Sequence, residues 1–257
     1  MNVLIVHAHP EPHSFSAAMR DVAVDELSRA GHAVTVSDLY AMGFDPVAKA
    51  EDFLQRHEPD YLVYALEQRH AYENGTLAPD IAAEVEKVKA CDLLLLNFPL
   101  YWFSVPAILK GWIDRILLSG LTYGGRRFYD RGGLVGKQGM IAVTLGARPH
   151  MFGPGAVHGE IETMLRPLLR GTLYYVGLRV LPPFFAYHIP YITHDARQHT
   201  LEQYRHHLRT LPEMPALAFP SLDDFDDRMQ PKNTTGDDDG VCCVTFYLPL
   251  PWPVLRS

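Results

Sequence analysis

The chain has 257 residues, 47% of them hydrophobic and 21% charged. These are the proportions of a globular protein able to bury a core, not of a collagen, a coiled coil or a disordered chain. The net charge is −7, and seven Asp against Arg228 and Lys232 put −5 of it in residues 221–240; the near-neutral body lacks the basic stripe that binding to nucleic acid needs.

The first predicted element is a strand, because Val3-Leu4-Ile5-Val6 is an unbroken apolar run of the kind found in parallel strands covered on both faces. A helix follows from Ser14, with Phe15, Met19, Val22, Ala23 and Leu27 on one face and Gly31 closing it. Val34-Thr35-Val36 is a second strand, whereas residues 38–78 show no clean period and read as a long excursion with short local structure. Pro79 opens a helix running to residue 90. Residues 93–96 are a third buried strand ended by Pro99, and Pro106 starts a strongly apolar helix that reaches residue 118. A fourth strand is predicted over 139–145, a helix over 158–176, a fifth strand over 178–181 and an amphipathic helix over 195–210. Strand alternating with helix predicts an α/β fold, a doubly wound five-stranded parallel sheet with helices on both faces. Ligands of such sheets bind at the carboxyl ends of the strands. That directs attention to residues 7–16, 97–104 and 144–152.

Residues 1–220 are expected to form one domain. Residues 221–257, acidic and then rich in proline, read as a disordered tail. The cysteines Cys91, Cys242 and Cys243 build no disulfide framework and no C-x-x-C pair, which suits a cytoplasmic compartment. The apolar stretch at the start is short and lacks a basic flank, and no run approaches the length of a membrane span. No signal peptide or stable membrane anchor is expected.

Two segments carry candidate chemistry. His9 to Ser16 leads from the first strand into a helix N-terminus, where hydroxyls and free N–H groups suit an anion. On spacing alone Ser14 is also an ordinary N-cap. Neither G-x-G-x-x-G nor a P-loop is present. Residues 98–103 hold four aromatics, Phe98 before Pro99 and Tyr101, Trp102 and Phe103 in a loop between Pro99 and Pro106, an arrangement suited to stacking a flat ring such as an isoalloxazine.

The run from Asn97 to Trp112, NFPLYWFSVPAILKGW, resembles the signature of the NAD(P)H:quinone oxidoreductase family, flavodoxin-like flavoproteins. VAVDELSRAGHAVTVSDLYAM, from Val22 to Met42, is similar to the quinone reductase 2 branch. The resemblance covers residues 2–220 and implies a homodimer that binds FAD, in preference to FMN, and passes a hydride from a reduced nicotinamide to a quinone by ping-pong kinetics. Carried over by position, it implies that His9, Phe15, Ser16, Ala17 and Ala18 hold the pyrophosphate and that Leu100, Tyr101, Trp102 and Phe103 lie along the isoalloxazine. It also implies backbone donors at Thr144, Leu145, Gly146 and Ala147, and an adenosine-side contact at Arg197. Tyr123, Gly124, Gly125 and Tyr175 would line the quinone mouth. A Tyr of the family falls on Phe152, which has no hydroxyl, while its partner is kept as His158. Arg170 and Tyr174 stand where the quinone reductase 2 branch has metal-binding His residues, so no metal is expected. Two further readings stay open: a flavodoxin-type electron carrier, and a flavin-binding regulatory subunit of a potassium-efflux system.

Overall fold

A computed structural model describes residues 1–232. Strands β1 (Asn2–His7), β2 (Ala33–Asp38), β3 (Leu93–Pro99) and β4 (Gln138–Thr144) are parallel neighbours in the order β2-β1-β3-β4. The short strands β5 (Arg179–Val180) and β6 (Phe184–Ala186) both pair with β4. The expected five-stranded sheet therefore needs one refinement. β5 runs beside Gln138–Gly139 and β6 beside Ala142–Thr144, so a single fifth position is filled in two pieces. Pro182 and Pro183 lie between them, and neither can donate to a ladder.

Alternation along the strands explains the two cores. Val3, Ile5, Leu93 and Leu95 pack with α1 (Phe15–Arg29) and α7 (His194–Arg209) through Met19, Val22, Leu27, Tyr204 and Leu208. Leu4, Val6, Leu94 and Leu96 face α3 (Pro79–Ala90) and α4 (Ala107–Ile116) through Ile81, Val85, Leu109 and Trp112. Every residue of β3 is buried, which is why its first four residues are a continuous apolar run.

One sequence expectation gains detail and another fails. The short local structure of the excursion includes an eleven-residue helix, α2 (Tyr64–Asn74), closed by Gly75 at φ 67°. Its buried positions are Glu67, Gln68 and Ala71, so it lacks an apolar stripe. Glu67 accepts the N–H groups of His57 and Glu58 and pairs with Arg56, while Gln68 bonds the Asp114 carbonyl and the Ser119 N–H. Partners outside the helix satisfy what the local pattern could not advertise. Nor is 158–176 a continuous helix. It breaks into α5 (Ile161–Met164), α6 (Arg166–Leu168) and a π-helical stretch, Leu169–Tyr174, around Pro167 and Gly171. His158 consequently sits in a loop.

The excursion is clamped to α4 by a buried ion pair, Arg115 to Asp52 at 2.8 Å, with Arg115 also donating to the Asp45 carbonyl. A Cβ at Gly111 would drive into the Pro46 backbone, so only glycine lets the two segments approach this closely.

The chain divides after Phe219. Beyond it, Ser221 caps the short turn Leu222–Asp224, and Phe225 bridges Pro231. The end of the expected tail, with Cys242 and Cys243, lies outside the described residues. Among the described residues no helix is long and apolar enough to cross a membrane, and no group of His, Cys, Asp and Glu could hold a metal ion.

Candidate active site

β1 sits where the chain order reverses, with β2 on one side and β3 on the other. The loops leaving β1 and β3 therefore diverge and open a crevice at the carboxyl edge. Ser14 starts α1 there: its Oγ accepts the Ala17 N–H at 3.1 Å. The helix start is anchored to the sheet by Ser16 Oγ, 2.8 Å from Thr144 Oγ1, and by Asn97 Nδ2, which donates to the Ser16 carbonyl at 3.0 Å. The sequence reading of Ser14 as a cap and of this turn as an anion site are thus compatible, because the positive end of α1 faces the crevice that the anchored residues line.

A cavity of about 440 Å³ fills this crevice. It is lined by the expected residues His9, Phe15, Ser16, Leu100, Tyr101, Thr144, Leu145, Gly146 and Arg197, together with His13, Ser14, Pro99, Ile189 and Pro190. His9 Nδ1 accepts the Glu11 N–H at 3.0 Å, and burial lowers the pKa of the ring. A neutral His9 then carries its proton on Nε2, as a donor. Arg197 has a buried Nε with no hydrogen-bond partner. The cavity thus combines a positive helix end, a neutral imidazole donor and an unsatisfied guanidinium, a set suited to phosphate oxygens.

The second half of the site is aromatic. Tyr101 and Ser104 exchange backbone hydrogen bonds of 3.1 and 2.9 Å, which leaves Trp102 and Phe103 as the central residues of a two-residue turn, at φ 51° and 55°. Such turns favour Asn and Gly, and bulky side chains there cost conformational energy. Trp102 is 95% exposed. The His158 ring touches two aromatic rings, with centres 5.4 Å from Phe103 and 5.1 Å from Phe152.

Not all expected residues meet in one wall. Trp102, Phe103, Ala147, Ala17 and Ala18 lie outside the cavity lining. The N–H groups of Ala17 and Ala18 already serve Ser14 Oγ and the Ser14 carbonyl, so these two residues build the helix start and have no N–H left for a ligand. Tyr123 joins Tyr175 in a separate aromatic group, ring centres 5.7 Å apart, beside a tight turn at Gly124 and Gly125. Burial pushes the Tyr123 phenol up.

The flavodoxin-like fold family matches residues 1–209. Human ribosyldihydronicotinamide dehydrogenase (quinone) is 43% identical over 210 residues, 81% of this chain and 91% of that protein. Rat NAD(P)H dehydrogenase (quinone) 1 is 40% identical over 224 residues, 87% of this chain and 82% of that protein. This chain belongs to their family. A candidate quinone reductase from Klebsiella pneumoniae has a crystal structure that superposes with a TM-score of 0.87 at 34% identity, covering 90% of this chain and 94% of its own.

Within this family scaffold, sequence reasoning missed Ile189, Pro190 and their neighbour His188. These residues follow β6, in a segment with no period to mark it. The His13 signal was present in the same run as His9 and Ser14.

Proposed function

We propose that this chain is an oxidoreductase that reduces quinones in two-electron steps, with a reduced nicotinamide as donor and FAD as bound cofactor. The 43% identity across 81% of the chain to a quinone-dependent dehydrogenase carries the reading. The cavity supports it, since an orphaned Arg197 Nε and a capped helix start fit a nucleotide's phosphates, and an aromatic turn beside them fits a flat ring. The flavin, when bound, accepts hydride from one substrate and gives it to the next.

The chain's own residues do the rest. His9 and the start of α1, at Phe15 and Ser16, hold the pyrophosphate, and Arg197 the adenosine side. Leu100, Tyr101, Trp102 and Phe103 carry the ring, and Gly146 and Ala147 direct N–H groups at its polar edge. His158 sits beside Phe103 as the side-chain donor to negative charge growing there, because Phe152 has no hydroxyl. Both substrates use one pocket in turn, which makes the kinetics ping-pong. The assembly is a homodimer in the cytoplasm, with Tyr123, Gly124, Gly125 and Tyr175 facing the partner's quinone mouth. Leu54, Tyr61, Leu62, Val63 and Leu66, exposed apolar side chains of the excursion and the start of α2, support association.

The test is direct. Heat release and mass measurement should identify FAD, and the purified protein should turn over quinones with a reduced nicotinamide. Flavin bound without turnover would leave a carrier or a regulatory subunit; no flavin would remove the reading altogether.

A further inference from the structure

We infer that His188 is a positioning residue of the flavin site, one that sets the direction of the Ala147 N–H group. The inference rests on the flavin reading above. His188 follows β6 at φ 57°, in the left-handed region that a side chain resists. Three contacts tie it to the turn after β4: its N–H donates to the Ala147 carbonyl at 3.0 Å, Nδ1 lies 2.9 Å from the Gly146 carbonyl, and Arg148 Nε donates to Nε2 at 3.3 Å. An arginine Nε always carries hydrogen, so His188 Nε2 accepts and the ring proton sits on Nδ1, where the Gly146 carbonyl receives it.

In a trans peptide the carbonyl and the following N–H point in opposite directions. Ile189 holds the Leu145 carbonyl at 3.2 Å and His188 Nδ1 holds that of Gly146, so the N–H groups of Gly146 and Ala147 are turned the other way. Neither N–H is engaged by another group among the described residues. Leu145 and Gly146 line the cavity. Pinning these two planes before any ligand arrives is preorganisation.

Two variants of the full chain separate this role from a structural one. His188→Gly suits the positive φ and removes both side-chain bonds; His188→Asn also tolerates that backbone and offers a donor to Gly146. Flavin dissociation constants, from quenching of flavin fluorescence, and flavin midpoint potentials are measured for the parent and both variants. His188→Gly should bind about tenfold more weakly than the parent, with a lower midpoint potential. His188→Asn should recover most of the affinity and of the potential. Equal affinity and potential in parent and His188→Gly, or a His188→Asn that recovers neither, overturns the inference. A parent that binds no flavin overturns the flavin reading instead.

Discussion

At the α1 end of the site Ser16, Thr144 and Asn97 are buried and bonded to one another, while at the other end Trp102 stands 95% exposed on a turn with two positive φ angles. The polar end is held by hydrogen bonds within one chain, and the phosphate recognition proposed for it needs donors held in place and desolvated together. The aromatic end is an open platform, since a flat ring needs contact area and no fixed direction. One end is preorganised by hydrogen bonds, and the other by backbone strain that a bound ring or a second chain could offset. The polar end should therefore govern affinity, and the aromatic end rate and substrate choice.

The sharpest way to break this contrast is at His158, beside the platform. His158→Ala should slow flavin reduction, followed by stopped-flow, by up to roughly 10²–10³, with FAD affinity nearly unchanged. A parent-like rate would remove His158 from the chemistry. At the polar end the expected effect is reversed in kind. Arg197→Ala should raise the FAD dissociation constant by roughly 10- to 100-fold, the scale of a charged hydrogen bond, and leave the reduction rate of the loaded protein alone.

The polar end should also be the acid-sensitive one. His7, at the end of β1, is fully buried with no partner for either ring nitrogen, and burial pushes its pKa down from 6.5 to about 4. Between those values the unfolded chain takes a proton that the folded one refuses, so stability falls as pH drops, by up to about 1.4 kcal/mol per pH unit. Thermal melts over that range should show the slope in the parent and a flatter one in His7→Leu; parallel slopes would assign the acid loss elsewhere.

A smaller effect is expected at the platform. Trp102→Gly should raise the stability of the ligand-free protein by about 1–2 kcal/mol, the cost of a side chain at positive φ, while weakening apparent quinone binding. Denaturant midpoints and KM values would separate the two. The smallest effect concerns the tail: a chain ending at Met229 should keep flavin, turnover and association state, and loss of association would show that the removed residues matter.

Sequence alone was enough to determine the elements whose burial is apolar and local. β1 and β3 announce themselves as continuous runs because both faces are covered, and α3 as a helix because proline opens it and its stripe is periodic. Much of the polar end was legible for the same reason, in the unbroken stretch from His9 to Ser16. Tertiary structure decided the rest. α2 escaped notice because Glu67 and Gln68 are buried against partners outside the helix, and Pro167 turned a predicted helix into three short pieces. His188 carries no pattern of its own: its importance comes from Gly146, forty-two positions away, and from a φ that only the zipped ends of β4 and β6 impose. Periodicity records which face is apolar, but a polar group's partner is set only when distant strands meet.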